Sequence, residues 1–108
     1  LTTSNIDIID VSAEHIVKLN YIQVANVDGT NAATCDVSVV KENLTPLGIV
    51  NVDTSGTFYL AKTVNVPADD ILVVLDKPIY LVETDILRVL ASAASDLDLF
   101  VSYEVIVD

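Results

Sequence analysis

The chain has 108 residues, one domain by length, and its net charge of −11 repels phosphate backbones and anionic lipid, which argues against nucleic-acid and membrane-surface binding. With 52% hydrophobic and 19% charged residues it is too apolar for disorder, and three glycines and three prolines are too few for a collagen-like or linker chain. Its 18 valines and 10 isoleucines favour strands over helices.

In chain order, residues 6–11 form a weak strand candidate within a segment, 1–10, that reads as an extended arm or an edge strand. HIVKLNYIQVAN (15–26) reads as a strand with a bulge near Tyr21. A helix over 12–23 competes with it, capped by Ser12 with Ile16, Leu19 and Ile22 beneath. An echo in the chain decides against the helix. Val11-Ser12-Ala13-Glu14-His15-Ile16-Val17 repeats as Val66-Pro67-Ala68-Asp69-Asp70-Ile71-Leu72, and Pro67 marks a turn opening into a strand. A second echo, AATCDVSVV (32–40) and AASDLDLF (93–100), follows in the same order; a duplicated half-sandwich or shared turn chemistry would explain both.

TCDVSVVK (34–41) alternates Cys35, Val37 and Val39 against Asp36 and Ser38. Residues 47–52 are a weaker candidate. TFYLAKTVNV (57–66) is a strand that Pro67 ends. ILVVL (71–75) and IYLV (79–82) flank a turn at Asp76-Lys77-Pro78, DILRVLAS (85–92) is a further strand, and 97–106 alternates Leu97, Leu99, Val101, Tyr103 and Val105 against Asp98, Phe100, Ser102, Glu104 and Ile106. About eight strands at intervals of roughly 8–12 residues predict one all-β domain over 1–108, an antiparallel sandwich of jelly-roll or immunoglobulin-like type.

No constellation for catalysis stands out. His15, the sole histidine, lacks a nucleophile elbow, an H-E-x-x-H or a C-x-x-C around it and reads as a turn or surface residue. Glu83 and Asp85 straddle Thr84 as a carboxylate pair, yet a tight turn is where acids are ordinarily solvated. Asp28-Gly29-Thr30-Asn31 lacks the spacing of a calcium loop and reads as a hairpin with Gly29 supplying φ > 0. Asp69-Asp70 and Asp96/Asp98 read as a solvated rim. Asn43-Leu44-Thr45 is a glycosylation sequon by pattern, followed by an unfavourable Pro46. Cys35, the single cysteine, allows no internal disulfide or thiolate cluster and reads as a small buried hydrophobe. The expectation is no enzyme, no metal and no cofactor. No apolar run approaches the ~18 residues of a membrane span, and no basic n-region with an apolar h-region is seen. Methionine is absent and Leu1 is a poor product of methionine trimming, so the expectation is either that a few leading residues are missing or that an upstream segment was cleaved.

ILVVL and IYLV break the one-face rule of small antiparallel sandwiches by offering large aliphatics to both sides. That makes Ile71, Leu72, Val73, Val74, Leu75, Ile79, Tyr80 and Leu81 the candidate partner contacts, against the simpler reading of a sandwich corner where strands change sheets.

Two stretches carry a resemblance: YIQVANVDGTNAATCDVSVV (21–40), a strand, an N-x-D-G loop and a strand, and TFYLAKTVNVPADDILVVLDKPIYLVETDILRVLAS (57–92). Within the second lie the "YLAK" strand Tyr59–Lys62, the "VPA" turn Val66–Ala68, the "IYL-E-D" pair Ile79–Asp85 and the "AS-A" loop Ala91–Ala94. Over most of residues 16–106 the chain resembles small β-sandwich virion proteins of tailed bacteriophages, marine and cyanobacterial ones especially. Thr84 is a departure, since a glycine is expected before Asp85. The resemblance implies a non-enzymatic structural protein of the virion, assembled in the host cytoplasm. It would sit outside the head as a decoration or cement protein, contacting the major capsid protein, other virion proteins and copies of itself. A neck, tail or fibre module is the alternative, and a carbohydrate-binding adhesin domain a further one, disfavoured by an aromatic content of 6%.

Overall fold

The structure is a computed structural model that describes residues 1–41 and 56–107. The weak strand candidate at 47–52 and the sequon at Asn43 lie outside those residues. Eight strands are described: β1 (Ile6–Asp10), β2 (His15–Asn26), β3 (Ala33–Lys41), β4 (Gly56–Val66), β5 (Ile71–Leu75), β6 (Ile79–Leu81), β7 (Ile86–Ala91) and β8 (Leu97–Val107). They form two antiparallel sheets. Sheet A has the order β1-β7-β3-β4; in sheet B, β2 is central, with β8 on one side and β5 and β6 on the other. Pairings β3–β4, β2–β5/β6 and β1–β7 nest inside one another, as in a long hairpin rolled up into two layers. No helix forms over 12–23; that segment is a turn leading into β2.

The core is aliphatic. Val17, Leu19, Ile22 and Val24 of β2 face Cys35, Val37 and Val39 of β3 and Leu87 and Val89 of β7, all buried. Fully burying such a side chain contributes about 1.5–3 kcal/mol. The inward set on β2 shifts from Val17 and Leu19 to Ile22 and Val24 because an extra residue lies between Leu19 and Tyr21 in its ladder with β8. This is the bulge that the sequence places near Tyr21.

Tight turns carry the chain between sheets. Ser12–His15, Pro67–Asp70 and Val82–Asp85 each close with a backbone hydrogen bond from the fourth residue to the first, at 3.2, 3.1 and 3.0 Å. Each holds its third residue in the left-handed region: Glu14 at φ 62°, Asp69 at 57° and Thr84 at 70°. A buried Val11, Val66 or Leu81 precedes each turn, and Ile16, Ile71 or Ile86 follows. Shared turn geometry thus accounts for the first echo. The second echo opens β3 in sheet A and β8 in sheet B, an exchange of sheets that the first does not show. Thr84 takes the backbone conformation in which a glycine is expected, with a β-branched side chain in its place.

Two sequence expectations are corrected. Asp28–Asn31 is not a hairpin, because it joins β2 of sheet B to β3 of sheet A, and Gly29 does not adopt a positive φ. Asp76-Lys77-Pro78 does not reverse the chain. β5 pairs with residues 22–25 of β2 and β6 with residues 17–19, so they are one edge line interrupted at Pro78, opposite the β2 bulge.

A candidate partner-binding face

β5, β6, β2 and β8 build the outer face of sheet B. Gln23 lies between Phe100 and Val73, Ala25 between Asp98 and Ile71, and Lys18 between Glu104 and Tyr80. Tyr21 stands beside Phe100, ring centroids 6.3 Å apart and planes at 63°, and donates its hydroxyl to Gln23 Oε1 at 2.8 Å. Edge-to-face pairs of this kind are favourable, and an aromatic with its polar tip in water is common at interfaces. The aromatics are left out of the core: Phe58, Tyr59, Tyr80, Phe100 and Tyr103 are all exposed, Tyr80 at 59% and Phe100 at 58%, and Tyr21 is half-buried.

The eight candidate contacts divide. Ile71, Val73 and Tyr80 are exposed on the outer face, Ile71 at 54%. Leu81 is buried in the core, and Leu72, Val74, Leu75 and Ile79 pack partly against it. Leu72 faces inward opposite Val24, and Leu75 inward opposite Ile22. Val74 is the extra residue of a second bulge, so the alternation of ILVVL breaks after Val73. The chain itself therefore covers one face of this edge line and leaves the other open. Phe100 and Tyr21 complete the open face; their alternation in β8 and β2 was readable, but their meeting depends on pairing strands far apart in sequence.

The remaining candidates resolve into structural roles. Asp85 is not solvated: it is 2% exposed, pairs with Lys41 Nζ at 2.6 Å, and accepts from the Val82 backbone N–H at 3.0 Å. Glu83 is half-buried and accepts from the Glu14 N–H at 3.0 Å. The two carboxylates thus hold turns together at one end of the sandwich. At the other end Asp28 accepts backbone N–H bonds from Thr30 and Asn31, and these hold its carboxyl below the usual carboxylate range. Buried Asn26 is fully used there, donating to the Asn31 and Val66 carbonyls and accepting from the Asp28 N–H. His15 Nδ1–H donates to the Ala13 carbonyl at 2.8 Å, closing its own turn. Cys35 is buried between the sheets; burial, and secondarily the charge of Asp36, push its thiol pKa up. Among the described residues no group of three or more His, Cys, Asp or Glu side chains is placed to hold a metal ion, and no helix is long and apolar enough to cross a membrane.

Compared with protein-family models, curated proteins and solved structures, the chain matches none.

Proposed function

We propose that this chain is a non-enzymatic structural protein of a tailed-phage virion, adhering to the outside of the head as a decoration or cement protein through the outer face of sheet B. One observation carries the adhesive part of the reading. Among the described residues the hydrophobic core uses only aliphatic side chains and Cys35, while Ile71, Val73, Tyr80 and Phe100 lie exposed together on one sheet face. A small domain gains little of its own stability from aromatics left in water; desolvated against a partner, each becomes a strong anchor. The virion address comes from the resemblance over most of residues 16–106. Sugar binding fits the face less well, because rings inclined at 63° make no flat stacking platform.

Gold-labelled antibody against the chain, applied to purified particles of the phage that carries its gene, tests the address. Label spread evenly over heads is the expected result. Label confined to neck, tail or fibres moves the chain to that alternative, and unlabelled particles overturn the reading.

A further inference from the structure

The sandwich has four open edges among the described residues: β1 and β4 in sheet A, and β8 and the β5/β6 line in sheet B. Open edges invite pairing with other chains, and proteins blunt them with short strands, bulges, charges or proline. Three of these edges are blunted. β1 has five residues, two of them acids, and a bulge at Ile8. β4 carries two bulges opposite Cys35–Ser38 and the charge of Lys62. β5/β6 is broken at Pro78 into segments of five and three residues.

β8 carries two acids, Asp98 and Glu104, as β1 does, but it is neither short nor bulged. It runs for 11 residues without proline, lysine or arginine, and the one irregularity in its ladder places the extra residue on β2. Its burial also fades along the strand. Leu97 is buried and Leu99 and Val101 partly so, but Tyr103, Val105 and Val107, on the same core-facing side, are exposed. Tyr103 and Val105 line one wall of a groove of about 280 Å³; Ile8 and Ile9 of β1 line the other, and buried Val17 lies at its side. The sandwich is left open along the β1/β8 side.

We propose that β8 pairs antiparallel with β8 of a second copy of this chain, about a twofold axis through Tyr103. Directly opposed residues of an antiparallel pair lie on the same face of the sheet, and under a twofold axis the strand must complement itself. An axis at Glu104 would set two carboxylates against each other. An axis at Ser102 would place Ile106 opposite Asp98, and one at Val105 would place Glu104 opposite Ile106. With the axis at Tyr103, Val105 meets Val101, Val107 meets Leu99, Ile106 meets Phe100 and Glu104 meets Ser102. Over residues 99–107 apolar side chains then meet apolar ones on both faces and Glu104 meets a hydroxyl, while Asp98, the other acid of β8, lies outside that stretch. The second copy's strand continues sheet B across the open side and covers the groove. This inference is independent of the virion address, since a dimer could form in any setting.

Two measurements test it. In sedimentation the wild-type protein is expected to be a dimer, and Tyr103→Asp, which opposes two carboxylates on the axis, to weaken dimerisation roughly a hundredfold or more while keeping a cooperative melt. In the second, Tyr103→Cys is expected to form an intermolecular disulfide in a glutathione redox buffer, because opposed Cα atoms lie about 4.5–5.5 Å apart, within bridging range. Glu104→Cys should not, since the twofold sets the two copies of that position two residues out of register, a diagonal of about 7–8 Å; Cys35 is buried and does not compete. If Tyr103→Asp does not fold, the cysteine pair decides alone. A wild-type monomer at every concentration, an oligomer that survives Tyr103→Asp, or crosslinking through position 104 in preference to 103 overturns the proposal.

Discussion

At single residues, small local faults have measurable consequences. Thr84 sits at φ 70° and its buried hydroxyl has no hydrogen-bond partner among the described residues. The conformation costs a β-branched residue about 1–3 kcal/mol and the unsatisfied hydroxyl a further ~1–3 kcal/mol; the greater freedom of glycine in the unfolded chain returns about 0.5–1 kcal/mol. Thr84→Gly should therefore stabilise the domain by on the order of 1 kcal/mol or more, read as a higher urea midpoint at unchanged slope. Lys41 and Lys62 make a contrasting pair. Removing the Lys41 ammonium leaves the Asp85 carboxylate buried with the Val82 N–H as its one remaining donor among the described residues, so Lys41→Met should cost about 1–3 kcal/mol, a third of the lysine being exposed. Lys62 stands 3.9 Å from Asp36 and is largely exposed, and Lys62→Met should change stability by less than about 0.5 kcal/mol. Equal losses would show that Asp85 is no more desolvated than Asp36. Asp28 supplies a pH dependence. Its folded pKa lies below the unfolded value of 3.8, so its contribution is complete above that value and is lost as pH falls through the folded one. The stability gap between wild type and Asp28→Ala should thus shrink as pH is lowered from about 5 to about 2, a trend that parallel urea melts would detect.

At the level of elements, legibility in the sequence followed periodicity. β3 and the first half of β8 alternate in sequence, so their strand state and inward faces could be read directly, although Ser38 on the opposite face of β3 is buried as well. The β2 bulge was readable too, because the apolar spacing changes phase between Leu19 and Ile22. The bulge at Val74 was not: ILVVL is apolar throughout, and a change of phase in a uniform run leaves no mark. Nor could the burial of Asp85 be read, since its partner Lys41 lies 44 residues away. The collinearity of β5 and β6 was hidden for the same reason, Pro78 being as compatible with a broken edge as with a reversal. The candidate site was half legible: the stretch was visible, but only pairing with β2 separates its outward residues from its inward ones. This separation sets a prediction. Ile71→Asp and Val73→Asp should leave a folded protein that no longer binds particles lacking the native protein. Leu72→Asp should unfold it, an unpaired acid opposite Val24 costing several kcal/mol. If the two outward variants melt as low as Leu72→Asp, the outer face belongs to the fold and not to a partner.

Across the whole molecule, charge and apolar surface occupy different places. Turns at one end bring together Asp28, Asp69, Asp70 and Asp96, with backbone bonds from Asn26 to Asp70, Val27 to Asp96 and Asp69 to Asp28. The opposite end holds Glu14, Glu83 and Asp85 in two turns that bond to each other through Val11. The outer face of sheet B between them is lightly charged, with Lys18 beside Glu104. A net charge of −11 keeps free copies apart at long range, while the contact proposed along β8 or the outer face would be made by apolar groups. These two forces respond oppositely to salt. The Debye length falls from roughly 30 Å at 0.01 M to about 3 Å at 1 M, so added salt removes repulsion between the acidic ends without weakening apolar contact. Self-association should therefore tighten as sodium chloride is raised over that range, opposite to the trend of a surface held by ion pairs. Sedimentation at several salt concentrations measures it directly. If association weakens with salt, charge pairing holds the copies together, and neither the apolar face nor the β8 seam is the contact.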